Sequence, residues 1–224
     1  MRMNKRILFF LPLLIAVSNL SALPPSATNS IINNSNRNVT NNASGGSEVN
    51  SGIRARRAVI NGSTVLNANQ NVVNNASGGS KVNSGIIADD AEITNGSLLK
   101  NSNIMINNTA LDASTINSGI DAEMAELNDA ELINNNNQVN NFARNGSTIN
   151  SGITVKNSQI SNSSLNNDNT RVNNTAINNA HINSGISTEN VKITKSKISN
   201  ENNRVNNTAT NNSSSSSGID LGGN

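Results

Sequence analysis

The sequence predicts an all-β fold, a repetitive β-solenoid built from 33-residue repeats, and three observations carry that prediction. The tripeptide Ser-Gly-Ile recurs with its glycine at Gly52, Gly85, Gly119, Gly152, Gly185 and Gly218, at spacings of 33, 34, 33, 33 and 33 residues. Aliphatic residues return at fixed offsets from it. Large side chains are too scarce for an ordinary globular core, since burial of such groups is the main term opposing chain entropy. A fixed period of this length marks stacked units, none of which buries an apolar face alone.

Taken in order, the chain opens with Arg2, Lys5 and Arg6 before an apolar run from Ile7 to Val17, followed by small residues at Ser18, Ser21 and Ala22. This pattern is expected of a secretory signal peptide over residues 1–22, because the run is short of the roughly 20 apolar residues that cross a bilayer. Those residues carry three of the sixteen basic side chains and no acidic one, which leaves thirteen basic against fourteen acidic in the remainder. The basic character of the whole chain therefore belongs to the leader, and no nucleic-acid partner is implied. With the leader removed, no membrane span is expected. Phe9 and Phe10 leave with it, and Phe142 is the last aromatic residue. Residues 23–36, which begin Leu-Pro-Pro, are expected to form a flexible linker.

Residues 37–219 hold the repeats. Counted from the isoleucine of each tripeptide, one aliphatic column holds Ile60, Ile93, Leu127, Ile160 and Ile193, and a second holds Val65, Leu98, Leu132, Leu165 and Ile198. A third holds Val72, Ile106, Val139, Val172 and Val205, with Ala76, Ala110, Ala143, Ala176 and Ala209 four residues on. Val82, Ile116, Ile149 and Ile182 precede the next tripeptide. Many of these follow a small residue two positions earlier, as Ser158 precedes Ile160, Ser163 precedes Leu165, Ala180 precedes Ile182 and Ser184 precedes Ile186. Residues two apart face the same side of a strand, so both would enter a thin interior. Asn, Ser and Gly between them suit corners. The competing state of such a chain is disorder, but a disordered chain has no need of aliphatic offsets kept through five units. The segment Asp121 to Leu132 is rich in helix formers, yet Leu127 and Leu132 occupy the offsets of Ile160 and Leu165, and strand with corner is expected there. Each unit could be one rung of 33 residues or two of 16 to 17. Residues 220–224 are expected to be a tail.

Stacking in register would align Asn74, Asn108, Asn141, Asn174 and Asn207 in one column and Asn50, Asn83, Asn117, Asn150 and Asn183 in another. Such columns form amide ladders in cross-β stacks. Charges gather after each tripeptide: Arg54, Arg56 and Arg57, then Asp89, Asp90 and Glu92, then Asp121, Glu123 and Glu126, then Lys156, then Glu189 and Lys192. They read as a solvated loop edge.

The inventory for catalysis is thin. Without Cys there is neither disulfide nor thiolate, and the sole histidine, His181, sits where sister units carry Thr115 and Thr148. No spacing matches a calcium loop. The sequence nominates no catalytic, cofactor-binding or metal-binding residue, and a non-enzymatic protein is expected.

Ala125-Glu-Leu127-Asn-Asp129 and Ala130-Glu-Leu132-Ile-Asn134 resemble two pentapeptide repeats, whose family forms a quadrilateral β-helix. The overall layout, a signal peptide followed by imperfect Asn/Ser/Gly-rich repeats with no Cys, resembles curli-type and Fap-type functional amyloid subunits. That resemblance implies a secreted structural subunit of an extracellular fibre or biofilm matrix. No capping segment is visible either: Val39, Ala43 and Val49 already sit at unit offsets, and Val205 and Ala209 are still in phase. Self-association into fibres is the expectation, and the alternative is a surface adhesin binding a glycan or protein ligand.

Overall fold

The computed structural model describes residues 25–222, apart from the pairs 46–47, 79–80, 113–114, 146–147, 179–180 and 212–213. The expected signal peptide and Ala180 lie outside the described residues. Within them the chain forms a parallel β-solenoid of six rungs. Rung 3 shows the plan, with strands Glu92–Leu111, Thr115–Asn117 and Ile120–Glu123. Stacking the rungs makes one 11-stranded sheet from the first part of each rung, a single long strand in rungs 3 and 4 and two or three strands in the others, and two 6-stranded sheets from the short strands that follow.

Strand residues meet their counterparts one repeat on: Leu132 pairs with Leu165, Ile149 with Ile182 and Ile153 with Ile186. One repeat is therefore one rung of 33 residues, which decides between the two rung sizes that the sequence allows. At about 4.8 Å per rung the body is roughly 25 to 30 Å long. The helix-forming stretch is strand, corner and strand: Ile120–Glu123, Met124 at φ 52°, then Glu126–Arg144.

Each rung bends at single residues in the left-handed region, and these too form columns. One column is Asn29, Gly62, Asn95, Asp129, Asn162 and Lys195; another is Gly45, Gly78, Asp112, Asn145, Asn178 and Asn211. Asn, Asp and Gly tolerate this conformation best, which is the local reason for the composition. A third column includes Met105, Gln138 and Arg171, residues that take up left-handed backbone at about 1 kcal/mol or more each. Regular pairing on both sides holds them there.

The Ser-Gly corner has a different reason for its glycine. Its φ is not left-handed, but a Cβ on Gly119 would lie 1.8 Å from the carbonyl oxygen of Gly152, and the same contact recurs at Gly85 and Gly152. Successive backbones approach too closely for any side chain.

The aliphatic columns all turn inward, in three separate clusters. The largest joins the Ile60 and Leu132 columns to Ile86, Ile120, Ile153 and Ile186 of the tripeptide. A second pairs the Ala110 column with Ile116, Ile149 and Ile182, and the third is Val72, Ile106, Val139 and Val172. Ser158, Ser163 and Ser184 are buried beside them.

Three expectations need correction. Residues 23–36 are not a linker over their described part: Ser26–Thr28 pairs with Val59–Asn61, and Ile31–Ala43 pairs with Thr64–Ala76. Ile32, Asn34 and Asn36 already hold repeat positions. The tail likewise begins too early, because Ile219–Gly222 is a strand paired with Ile186–Glu189. Finally, Leu99 replaces Leu98 in its column. The extra residue of the 34-residue repeat is absorbed at Asn95 and Gly96, both left-handed, so that Leu99 pairs with Val65 and Leu132 and is fully buried.

Candidate functional site

Between the apolar clusters runs a polar spine. Asn67 and Asn69 each donate Nδ2 to the carbonyl oxygen of Ser84 across the interior, at 2.7 and 2.6 Å, while Asn74 Nδ2 donates to Ser84 Oγ at 2.8 Å. The same set recurs a rung later, where Asn101, Asn103 and Asn108 meet Ser118. Each Asn also bonds its counterpart in the next rung: Asn67 to Asn101 at 2.7 Å, Asn101 to Asn134 at 2.8 Å, Asn74 to Asn108 and Asn108 to Asn141 at 2.9 Å. A buried amide is costly unless satisfied, and here both Nδ2 hydrogens of these residues have acceptors.

The Asn74 column is the expected ladder. So is the column Asn50, Asn83, Asn117, Asn150 and Asn183, in which Asn117 Nδ2 reaches Asn83 Oδ1 at 3.0 Å while Asn117 Oδ1 accepts from the Gly119 amide at 3.1 Å. The columns of Asn34 and Asn36 were missed in the sequence. Their signal was there, as Asn-x-Asn at residues 34, 67, 101, 134, 167 and 200.

These columns run to both end rungs, and there they meet solvent. Among the described residues, the strands of rung 1 pair only with rung 2, and those of rung 6 only with rung 5. Ile31 and Ile32 are 76% and 40% exposed at one end, and Ile219 and Leu221 are 47% and 57% exposed at the other. Among the described residues, apolar side chains and strand edges are thus open together at both ends.

A second surface is a groove along the Ser-Gly corner, of about 440 Å³. Thr115, Thr148, His181 and Ser214 form one wall, and Asp121, Thr154, Ser187 and Asp220 the other. In rung 1 an ion pair between Arg54 and Glu48 bridges the two walls. The hydrogen bond from Arg54 holds the Glu48 carboxyl below the usual carboxylate range, against the opposing effect of burial. Burial, with help from the Asp89 and Glu123 charges, pushes Asp121 up to about 6.

The charged edge of the sequence forms a column on the same sheet, where Arg56 bonds Asp89 at 3.2 Å and Lys156 bonds Glu189 at 3.3 Å, with Glu123 beside Lys156. His181 Nδ1 contacts Ser214 Oγ at 2.5 Å, both exposed. No described hydrogen bond joins His181 to a carboxylate, so the pair lacks the third group that would orient a catalytic base. Among the described residues no cluster of His, Asp or Glu is arranged to hold a metal ion, and no helix is long and apolar enough to cross a membrane.

No protein-family model matches the chain, and no curated protein matches it. The functional reading rests on the geometry of its two open surfaces.

Proposed function

We propose that this chain is a secreted, non-enzymatic structural protein whose copies associate end to end into an extracellular fibre, in the manner of a functional amyloid subunit of a biofilm matrix. The observation that carries the reading is the continuity of the interior columns into exposed end rungs. Ile32 extends the column of Val65, Leu99 and Leu132, and Ile219 extends that of Ile120, Ile153 and Ile186. An exposed apolar strand edge is a template for a further strand, and soluble solenoids normally cover such ends. The leader expected at residues 1–22 supports export.

The test is to dilute the full chain from denaturant and follow assembly. Fibres that scatter X-rays with the 4.7–4.8 Å cross-β spacing, and that seed fresh protein, are the expected result. Chain that stays monomeric for days at high micromolar concentration would discard it. The second reading, a surface adhesin, then takes over. The groove favours that reading, since its walls present a hydroxyl at each of rungs 3 to 6 and a carboxyl at rungs 3 and 6, a lattice suited to the hydroxyls of a glycan.

A further inference from the structure

The interior amide ladders have a direction. Asn34 donates to Asn67, Asn67 to Asn101, Asn101 to Asn134, Asn134 to Asn167 and Asn167 to Asn200, each at 2.7 or 2.8 Å. Asn41 donates to Asn74, and so on through Asn108, Asn141 and Asn174 to Asn207, at 2.9 to 3.0 Å. In both columns the Nδ2 group points to the rung that follows in the chain. In the Asn34 column the direction is fixed by the spine: a serine carbonyl only accepts, so the amides that meet it must present Nδ2, and a flipped amide would set two oxygens against each other. In the Asn41 column the amides meet a serine Oγ, which accepts from its own rung's Asn and donates to the Oδ1 of the next.

The two ends of the molecule are therefore chemically different. Rung 1 presents the Oδ1 acceptors of Asn34, Asn36 and Asn41. Rung 6 presents Asn200, Asn202 and Asn207, of which Asn200 Nδ2 makes one described bond, to Ser217 O at 3.0 Å, and keeps a second hydrogen for a further rung. Two copies meeting by like ends would set acceptor against acceptor, or donor against donor, in the Asn34 and Asn41 columns, and only unlike ends also continue the Asn50 column, whose amides donate toward rung 1. Unlike ends continue the ladder.

From this we infer that the partner of each end is the opposite end of a second copy, in the register that places rung 1 of one chain on rung 6 of the next. The inference rests on the fibre reading above and adds polarity and register to it. In that register Asn34 lies on Asn200, Asn41 on Asn207, Ile32 on Ile198 and Ile53 on Ile219, each pair sharing a column through all six rungs.

Charge agrees with this register. Both end rungs are net basic: rung 1 carries Arg37, Arg54, Arg56 and Arg57 against Glu48, and rung 6 carries Lys192, Lys195, Lys197 and Arg204 against Glu201 and Asp220. Across the junction in this register, however, no two like charges oppose each other. Lys192 faces Ser26, Lys197 faces Ile31, and Arg54 faces Asp220, the one directly opposed charged pair. A head-to-tail contact of this kind does not close on itself and propagates as an open filament.

Cysteine pairs read the polarity, because the chain has no native Cys. Thr40 and Asn206 are exposed and share a column, and across a rung step of about 4.8 Å their Cα atoms lie within disulfide range. The full chain carrying both Thr40→Cys and Asn206→Cys, assembled and then oxidised, should give a ladder of covalent multimers. Either single variant should stay monomeric on a denaturing gel. In addition, Arg54→Asp should slow growth at least tenfold, and the chain carrying both Arg54→Asp and Asp220→Arg should restore it. Covalent dimers of the single variants, with fibres still forming, would overturn the polarity and leave the fibre reading standing. Absence of assembly by light scattering would sink both.

Discussion

At the residue scale, the fold depends on a few side chains whose replacement meets neighbouring backbone or strands a polar atom. Gly119→Ala would place a Cβ 1.8 Å from the Gly152 carbonyl oxygen, and backbone in two stacked rungs cannot give way cheaply. A loss on the order of 3 kcal/mol or more is expected in urea unfolding. Asn134→Ala would remove the acceptor of Asn101 and the donor to Asn167, and one of the two donors to Ser151 O. Its expected cost is about 2 to 4 kcal/mol, the usual penalty of unpaired buried groups. Asn140→Ala, on an exposed ladder with Asn107 and Asn173, should stay within about 0.5 kcal/mol. Equal costs for the two Asn variants would show that the interior ladder contributes no more than a surface one. Asp121 supplies a pH signature, because its carboxyl is raised from 3.8 to about 6 in the fold. The native state then holds the proton more tightly, so this group's contribution to stability falls as pH rises from about 4 to about 6. Asp121→Asn should therefore match wild type near pH 3.5 and exceed it by about 1 to 2 kcal/mol at pH 8, allowing for partial exposure. Thermal melts at the two pH values check this, and equal gains at both would remove the assignment.

At the scale of one rung, the sequence was legible where a residue type recurs at a fixed offset and opaque where the same type serves several roles. Most Ile, Val and Leu residues lie in the interior columns, so their period revealed the solenoid directly, although Leu66, Val73, Ile104 and Ile133 among others stand outside them. Asparagine occurs in the spine, at corners and on exposed ladders alike, so the Asn34 and Asn36 columns were hidden by their own abundance. With those columns unread, the start of the first rung, through residue 36, passed for a linker, although Asn34 donates to Asn67 at 2.7 Å as any later spine residue does. The Leu98 error has a different origin, in counting through a corner. Asn95 and Gly96 take up one extra residue with two left-handed conformations, and register is restored by Ser97, which pairs with Ala130. That natural insertion sets an expectation for others. A glycine added after Asn162, the equivalent corner of rung 5, should fold with a loss of about 1 kcal/mol or less. The same glycine between Val172 and Asn174 should be severe, because it turns Asn174 and Ala176 outward by the two-residue alternation of a strand. Hydrogen exchange of rungs 4 to 6 distinguishes the two, and comparable loss of protection in both variants would contradict the corner account.

At the scale of the whole molecule, a stack in which each rung touches only its neighbours should tolerate the loss of one entire rung. Removing residues 120–152 joins Gly119 to Ile153 and brings rung 5 down onto rung 3. The columns close without a mismatch: Leu99 meets Leu165, Asn101 meets Asn167, Ile106 meets Val172, Ala110 meets Ala176 and Ile116 meets Ile182. The electrostatics of the outer column also change sign in favour of the shorter chain. In the intact molecule Lys156 lies beside Glu123 and bonds Glu189, while burial, with the added repulsion of the Asp89 and Glu123 charges, holds the Asp121 carboxyl up. Deletion removes both Asp121 and Glu123 and sets Lys156 over Asp89, an opposed pair in place of an acidic cluster. The shortened chain should remain folded and strand-rich by circular dichroism, with its denaturant m-value reduced by about one sixth, since m follows the surface exposed on unfolding. Its stability should fall less than the loss of one rung interface alone would dictate, because the repulsion is relieved. Removing residues 120–140 instead would delete the same charges while breaking the register of every later rung, and that chain should not fold. If both deletions abolished folding, the molecule would be one cooperative body with unequal rungs, and the additive stack would have to be abandoned.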